Sequence, residues 1–575
     1  MSNNALWIIL QKLRIPLLVI IVTYSIAILG MVLIPGMDDD GKVYHLTFFD
    51  AFYFVSYMAS TIGFGESPYT FTYAQRIWVS FCIYLTVVGW FYGIGALVSA
   101  LTNKTLKFEL MKNRFKKQVH ALRGEFVIVL GYSYVTVEII KKLLDQGLEV
   151  VLIDEDEDRM NHFLLEDFSK HVPTMVGDGL ITDTLKDAGI EQNNCYALVA
   201  LFEKEDKNLR ASILTKFLNP NVQVVAKSTI YETTNSLIDT DITKVINPFE
   251  VFAKRLDIAL SSPHILILEN WMYGNSDLYH EALFLPKGKY IICGYGRLGK
   301  LIQEKLEKHG IEYVFIDSKR VAKREMIKNE QFLKANPDDK DILCGVGIKE
   351  ASTLIAGTVH DIDNLSIMIT ARKLNPKIYL IARENTMDEV SIFQAANIDW
   401  LFMIEKIIIN KTSMFLANPV LEHFLALALK QNEIWGKMLV KELRSRFGSN
   451  PQLMSLTIDR EEAYAIVAEL SIGKEINIEV LLYSLIDQSL KHKAMPLLLI
   501  REGKCILLPH KISLKLGDKL LFACDEESRE EIELIASNIY ELYYVMYGEE
   551  KESSWLLKKL FRYGSNNFFR TSSEK

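Results

Sequence analysis

The feature that most limits how this chain can fold is a pair of long uncharged apolar runs near its start. Residues 15–34 carry no charged side chain over 20 positions, and residues 77–101 carry none over 25. A helix rises about 1.5 Å per residue, so each run can cross the roughly 30 Å hydrocarbon core of a bilayer. The first run is long for a secretory signal, and no A-x-A-like site follows it. We predict two membrane-spanning helices, with a buried hairpin of a soluble protein as the alternative.

The charges beside these runs predict their orientation. Lys12 and Arg14 precede the first run, and Asp38, Asp39 and Asp40 lie between the two. The basic residues after the second run, with Glu109 as the one acid among them, are Lys104, Lys107, Lys112, Arg114, Lys116, Lys117 and Arg123. Since cytoplasmic loops are enriched in Lys and Arg, we expect a multi-pass protein of the cell (inner) membrane with both termini in the cytoplasm.

A third apolar stretch, TFFDAFYFVSYMAS (47–60), lies between the two runs and is too short to cross a membrane. It predicts a re-entrant half-helix that stops at the glycine-containing stretch TIGFGE (61–66). Non-helical backbone at membrane depth is tolerated only inside protein or beside a water-filled cavity. The stretch 61–66 is therefore expected to line a pore.

The residues of this stretch suit a dehydrated cation, which needs a cage of oxygen atoms. Gly63 and Gly65 can adopt positive φ at low steric cost, so successive carbonyls can point to one side. We expect the carbonyls of Thr61, Ile62, Gly63 and Phe64, with the Thr61 hydroxyl, to face the pore axis, and Ile62 and Phe64 to pack outward. One such strand cannot close a ring, so four chains are needed.

The second apolar run contains two glycines, Gly93 and Gly95. Glycines in a membrane helix permit close packing against another helix. The alternative is a hinge that bends the inner helix, with Leu97 and Leu101 near a hydrophobic constriction.

TIGFG resembles the potassium-channel selectivity filter, which is commonly TVGYG. The layout of two spans with a half-helix before the filter is similar to the minimal potassium-channel pore. The resemblance implies a pore domain over 1–101 with a filter at 61–66 that binds K⁺. Phe64 replaces the usual tyrosine and so lacks its hydroxyl bond to the pore helix, and Glu66 stands where aspartate is commoner.

Composition excludes two other classes. Hydrophobic residues make up 49% of the chain and the net charge is −7, which argues against a disordered chain and against a nucleic-acid partner. The six cysteines form no C-x-x-C pair, so neither a disulfide framework nor a zinc site is indicated.

The rest of the chain contains an internal repeat. Residues 125–159 follow the pattern strand, turn, helix, strand, acid, and residues 289–320 repeat it. Gly131 corresponds to Gly294 and Asp154 to Asp317, each pair 163 positions apart. We predict two Rossmann-like α/β domains with parallel sheets. The expected divisions are a linker (102–123), the two domains (124–275 and 285–432), a small C-terminal α/β lobe (433–540) and a tail (541–575).

The second copy has a dinucleotide fingerprint in its expected context. G-Y-G-R-L-G follows a strand and opens a helix, and an acid ends the next strand. The first glycine would make the tight turn, the second would admit phosphate, the third would allow helix–strand packing, and the acid would bind ribose. The candidate residues for ADP or NAD are Gly294, Gly296, Arg297, Leu298, Gly299, Asp317 and Ser318. A purely structural turn is the alternative.

The first copy has diverged at the same place. Ser133 and Thr136 replace the later glycines, although Gly131 and Asp154 persist, and Asp178 follows what looks like the fourth strand. A second candidate ligand site consists of Gly131, Ser133, Asp154 and Asp178. It either binds a different ligand or no longer binds one. The acidic run DEDED (154–158) is either a calcium site, so far unplaced, or a solvated turn.

These features together resemble RCK domains, the regulators of potassium conductance below many prokaryotic channels. The segments GDGLITDTLKDAGI (177–190) and PLLLIREGKCILLPHKISLKLGDKLLFAC (496–524) are similar to RCK sequence. The resemblance implies a non-enzymatic, ligand-gated potassium channel, a homotetramer whose ring of eight RCK units responds to nucleotide or calcium. Two alternatives remain: a membrane-tethered nicotinamide-dependent oxidoreductase, and a regulatory subunit of a separate potassium transporter.

Overall fold

The computed structural model describes residues 3–102, 104–240, 242–318, 331–386, 390–487, 489–507 and 512–551. The predicted fold class is confirmed: two long apolar helices precede two parallel-sheet α/β units and a smaller C-terminal α/β lobe.

The N-terminal part consists of two long helices around a short one. Its elements are α1 (Asn3–Leu33), β1 (Gly36–Met37), β2 (Val43–Tyr44), α2 (Phe48–Ala59) and α3 (Tyr73–Leu101). Within the described chain, two stretches are long and apolar enough to cross a membrane, Leu13–Leu33 and Tyr73–Ser99, and most of their residues are not buried in the chain. Their apolar surface therefore faces outward, as a bilayer or neighbouring subunits would require.

Small residues bring α1 and α3 close together. A Cβ on Gly30 would lie 2.1 Å from the Trp78 ring, and one on Gly89 would lie 2.8 Å from Thr23 Oγ1. Such close approach is typical of helix pairs in membranes.

The half-helix α2 agrees with the predicted stretch 47–60. Thr47 is its N-cap and accepts a hydrogen bond from the Asp50 amide, while its hydroxyl donates to the Asp50 carboxylate at 2.6 Å. This reciprocal cap starts the helix, and Ser60 ends it.

The predicted linker is a helix that belongs to the first α/β unit. Helix α4 (Lys104–His120) spans most of 102–123, and Phe115 and Val119 are buried in the core of that unit. Lys112 Nζ lies 2.9 Å from the carboxylate of buried Asp187, and Lys116 also pairs with it. The segment is a packed structural element because two apolar side chains one helical turn apart interrupt its charged surface.

The first unit is a six-stranded parallel sheet with strand order β5-β4-β3-β6-β7-β8. The strands are β3 (Phe126–Leu130), β4 (Glu149–Asp154), β5 (Thr174–Val176), β6 (Cys195–Ala200), β7 (Gln223–Lys227) and β8 (Lys244–Ile246). The helices are α5 (Tyr134–Asp145), α6 (Glu157–Phe163), α7 (Thr182–Asp187), α8 (Glu205–Leu218), α9 (Tyr231–Asp239), α10 (Pro248–Ser261) and α11 (Pro263–Met272). The strand before Asp178, expected to be the fourth, is the third, because only two strands precede it in the unit.

The second unit repeats this topology with strand order β11-β10-β9-β12-β13-β14. The strands are β9 (Tyr290–Cys293), β10 (Tyr313–Asp317), β11 (Phe332–Lys334), β12 (Thr353–Ala356), β13 (Tyr379–Glu384) and β14 (Trp400–Met403). The helices are α12 (Arg297–Lys308), α13 (Lys340–Gly345), α14 (Asp361–Leu374), α15 (Val390–Ala395), α16 (Ile404–Ala417) and α17 (Pro419–Ala428). In both units the order reverses beside the first strand, which is where doubly wound sheets bind ligands.

The two units exchange helices. Helix α10, which follows the last strand of the first unit, packs on α12 of the second, and α16 of the second unit packs on α5 of the first. Phe252 and Leu256 thus belong to the core of the second unit, while Ile408 and Ile409 belong to that of the first.

The C-terminal lobe is an antiparallel sheet with strand order β15-β18-β16-β17. Its elements are α18 (Glu433–Phe447), β15 (Gln452–Thr457), α19 (Tyr464–Ser471), a 3₁₀ turn (Ile478–Leu482), β16 (Ala494–Arg501), β17 (Lys504–Leu507), β18 (Lys519–Cys524), α20 (Glu526–Ser537) and α21 (Ile539–Tyr547). Helix α21 crosses position 540, where the lobe was expected to end, and its Leu542 and Val545 are buried in the lobe core.

Candidate functional site

The stretch after the half-helix has an alternating backbone. Thr61, Gly63 and Gly65 have φ of +61°, +66° and +74°. A Cβ added to either glycine would meet nothing within 4 Å, so the requirement for glycine there is conformational. Positive φ at every second residue is the geometry expected of a strand whose carbonyls turn toward one side.

Two tyrosines of the half-helix hold this stretch in place. Tyr57 accepts from the Ile62 amide at 3.0 Å through its carbonyl and donates from its hydroxyl to the Glu66 carbonyl at 2.7 Å. The Tyr53 hydroxyl donates to the Glu66 carboxylate at 3.0 Å, and the Phe64 ring meets the Tyr57 ring edge-on at 6.2 Å. Although Phe64 has no hydroxyl to bond to α2, two hydrogen bonds join α2 to Glu66. Sequence reasoning missed both tyrosines, although their spacing of four places them on one helix face.

The candidate gate lies in an unbroken helix, since α3 continues through Gly93 and Gly95. A Cβ on Gly93 would lie 2.4 Å from Ile20 Cδ1, which favours close packing at that position, whereas Gly95 faces open space. Leu97 is exposed, and the side chain of Leu101 lies outside the described part. A hinge at Gly95 stays a prediction.

The glycine loop of the second unit has the arrangement that its fingerprint predicts. Gly294 has φ of +106°, and the Tyr295 amide donates to Asp317 Oδ2 at 2.7 Å. A Cβ on Gly299 would lie 2.5 Å from the Gly294 carbonyl oxygen, so the helix approaches the loop closely. Gly296 is the N-cap of α12, makes no side-chain cap, and faces open space. Amides of the first turn are therefore available to an anionic ligand.

Three further candidate residues of this site differ in placement. Leu298 is buried in the core, so only its backbone could reach a ligand. Ser318 is exposed at the edge of the described range. Arg297 reaches across to the first unit, where it hydrogen-bonds to Thr229 Oγ1 and lies 3.8 Å from Glu205.

Charged groups of both units meet beside this loop. Burial would raise the pKa of Glu205, but hydrogen bonds from Thr229, Ser228 and the Ile230 amide outweigh it and hold the pKa below its usual value. Burial lowers the pKa of Arg383 to about 10, and its guanidinium lies 4.7 Å from the Phe249 ring centroid. Polar and charged groups of the first unit therefore lie beside the second loop.

The first unit has the same loop, but its helix is capped. Gly131 has φ of +89°, and the Tyr132 amide donates to Asp154 Oδ2 at 2.6 Å. Ser133 Oγ accepts from the Thr136 amide at 3.3 Å, and Thr136 Oγ1 accepts from the Ser133 amide at 2.8 Å. The residues that replace glycines thus form a capping box, which occupies amides that a phosphate would use.

The acids of the first unit also serve local structure. Asp154 Oδ1 accepts from the Asp156 amide, Asp178 Oδ1 accepts from the Leu180 amide, and Asp156 caps α6. Within the described residues, no group of three or more His, Cys, Asp or Glu side chains could hold a metal ion. Calcium at DEDED remains a prediction without a placed site.

Comparison with known proteins identifies the α/β units. The TrkA-N domain family matches residues 127–248 and 290–404. "Potassium channel protein 1" of Methanocaldococcus jannaschii is 39% identical over 107 residues, which cover 18% of this chain and 32% of that protein. "Trk system potassium uptake protein TrkA homolog" of Pyrococcus horikoshii is 27% identical over 136 residues, 23% of this chain and 56% of that protein. The chain thus spans about a third and about half of these relatives.

Among solved structures, "GsuK Channel" is similar at a TM-score of 0.48 and 14% identity, over 92% of this chain and 99% of that one. The two family matches coincide with the two doubly wound sheets and their glycine loops. Residues 127–248 and 290–404 of this chain are therefore two TrkA-N domains.

Proposed function

We propose that this chain forms a tetrameric potassium channel of the cell membrane whose two TrkA-N domains gate the pore in response to a nucleotide. The observation that carries the proposal is the alternation of positive φ at Thr61, Gly63 and Gly65 between two membrane-length helices. A strand of this kind presents rows of carbonyl oxygens, which replace the hydration shell of K⁺. Each chain supplies one strand, so closure around the ion requires four chains.

The charges beside the apolar helices support a cytoplasmic location for the TrkA-N domains. The basic residues of α4 directly follow α3, and three consecutive aspartates, Asp38, Asp39 and Asp40, lie between the two apolar helices. Both features favour a pore whose termini lie inside the cell.

The nucleotide site of the proposal is the second loop, Gly294–Gly299 with Asp317. The uncapped start of α12 and the open space at Gly296 support ADP or NAD there. The capping box of Ser133 and Thr136 disfavours phosphate at the first loop. Calcium is an alternative ligand, but no cluster of possible metal-binding side chains in the described part of the chain supports it.

The linker helix supplies the coupling. Helix α4 follows α3 after two residues and is fixed to the first unit by buried Phe115 and Val119 and by the pairs with Asp187. A movement of the first unit therefore pulls on the inner helix. Four sites that each favour one state tenfold would shift the equilibrium about 10⁴-fold, roughly 5.5 kcal/mol.

The relatives support two of the candidate functions. The Methanocaldococcus jannaschii relative carries a channel name, and the Pyrococcus horikoshii relative carries the name of an uptake-system protein. A regulatory subunit would need no pore strand, so the stretch 61–66 favours the channel. The same stretch also argues against an oxidoreductase, to which it would contribute nothing.

Potassium flux from purified full-length protein in liposomes tests the proposal. We expect K⁺ uptake that exceeds Na⁺ uptake and changes when ADP or NAD is added. Vesicles with Gly63→Ala protein serve as the matched control. Protein that assembles as a tetramer yet passes no K⁺ under any nucleotide condition would refute the channel and leave the regulatory subunit.

A further inference from the structure

A cavity of about 230 Å³ lies where the helices exchanged between the two α/β units meet. Its walls come from β8, α10 and α11 of the first unit and from α16 and α17 of the second. Among its lining residues, the cations are Lys244, Lys254, Arg255 and Lys411, and the carboxylates are Glu250, Glu269 and Glu422. None of these residues belongs to the glycine loops or to the pore.

Only some of the cations that line the cavity form ion pairs with its carboxylates. Glu422 pairs with Lys244, and Glu269, whose side chain is 2% exposed, pairs with Arg255 at 2.9 Å. The third carboxylate, Glu250, accepts a hydrogen bond from the side-chain amide of Asn247. Lys411 Nζ lies 4.0 Å from the nearest Glu269 oxygen, beyond hydrogen-bond reach.

Two lysines are left without an acceptor. Lys254 has no hydrogen-bond or ion-pair partner among the described residues, and Lys411 has only the long contact with Glu269 and the Tyr273 ring at 5.5 Å. The Lys411 side chain is 14% exposed, so water reaches it poorly. A buried ammonium group is costly unless an anion pairs with it or it loses its proton.

The electrostatics of the cavity agree with this shortage of negative charge. Burial lowers the pKa of Lys411, and Lys244 and Lys254 lower it further while two carboxylates oppose them. Burial also lowers the pKa of Lys254, with Lys430 and Lys244 acting in the same direction and Glu269 and Asp257 against it. An added anion would favour the charged form of both ammonium groups and so oppose these shifts.

We propose that this cavity binds a small multivalent oxyanion, inorganic phosphate or sulfate in class, through Lys254 and Lys411. The volume is below the roughly 300–1,000 Å³ of drug-sized sites, which excludes a whole nucleotide. An ammonium group from each side suits a tetrahedral anion with several acceptor oxygens. Lys254 belongs to α10 and Lys411 to α16, so the anion would bridge the two exchanged helices and stiffen the contact between the TrkA-N domains.

The test is the thermal stability of the full-length protein in detergent as inorganic phosphate is added against chloride at equal ionic strength. We expect a saturable rise in Tm at millimolar phosphate. Lys254→Met and Lys411→Met should raise the half-saturating concentration roughly tenfold or more, because each loses a hydrogen bond to a charged group. Lys254→Arg should retain the response, and exposed Lys349→Met is the matched control.

Phosphate also stabilises proteins by exclusion from their surface, which acts on every variant alike. A Tm rise of the same size and shape in wild type, Lys254→Met and Lys349→Met would overturn the proposal. A response to AMP that depends on these lysines, without one to inorganic phosphate, would also overturn it, because the ligand would then be a larger phosphate ester. If Lys411→Met does not fold, Lys254→Met at the exposed position decides the outcome.

Discussion

Replacing Gly296 by serine transfers the cap of the first TrkA-N domain into the second. Gly296 has φ of −86° and ψ of −159°, an extended conformation that serine adopts, and its added Cβ would meet nothing within 4 Å. Serine is slightly better than glycine at an N-cap. Gly296→Ser should therefore leave the free energy of unfolding within about 0.5 kcal/mol of wild type.

Nucleotide binding should respond very differently. In the first domain the Ser133 hydroxyl accepts from the amide three residues later, at 3.3 Å. A serine at 296 would accept in the same way from the Gly299 amide and would occupy space beside the loop. Loss of one amide hydrogen bond to a charged phosphate costs about 1.5–3 kcal/mol. The Kd for ADP or NAD should therefore rise roughly ten- to hundredfold.

Titration calorimetry on the full-length protein in detergent compares nucleotide binding by Gly296→Ser with binding by the reciprocal variant. Ser133→Gly removes the first cap, costs a few tenths of a kcal/mol of stability, and should leave nucleotide affinity unchanged. Wild-type affinity in Gly296→Ser, together with altered affinity in Ser133→Gly, would refute the assignment to the second domain. The first loop would then be the nucleotide site.

Three further outcomes follow from the geometry. Asp317→Asn keeps an acceptor for the Tyr295 amide but loses the charge that a ribose would meet, so ADP affinity measured by calorimetry should fall roughly tenfold. Asp154→Asn should change ADP affinity little, and the reverse pattern would contradict the site. Gly63→Ala places a Cβ where φ is +66°, which costs about 1–2 kcal/mol. The variant should lose the preference for K⁺ over Na⁺ in reversal-potential measurements, and an unaltered preference would rule out the filter. Asp187→Asn removes the carboxylate that two linker lysines share, so single-channel recordings should show a weaker effect of nucleotide on open probability. An unchanged effect of nucleotide would mean that α4 is not the coupling element.

Features with a local sequence signal could be predicted. The two apolar runs, the half-helix after Thr47 and the glycine loops each rest on residues that are adjacent in the sequence and whose chemistry permits few structures. The same is true of the internal repeat, since strand, loop, helix and acid recur at a fixed spacing of 163 positions.

Features that depend on distant contacts could not. The helix exchange places Ile408 in the core of the first domain, about 270 residues from α5, and nothing in the local sequence specifies its partner. The segment 102–123 was predicted only as a linker, and the fold shows that its Phe115 and Val119 enter a core. The cavity at Lys411 likewise brings together residues from five separate elements.

The helix exchange also has a consequence for how the two domains can differ. Two identical chains that traded helices as a symmetric pair would carry every substitution twice, so such a pair would keep both ligand loops or lose both. Here the two partners are encoded one after the other, and each molecule always contains one of each in fixed proportion. A capped loop can therefore persist beside an open one, because the altered domain still supplies the helix that its partner needs. The unit with the capped loop can then serve as a structural support that transmits movement, while the unit with the open loop binds the ligand.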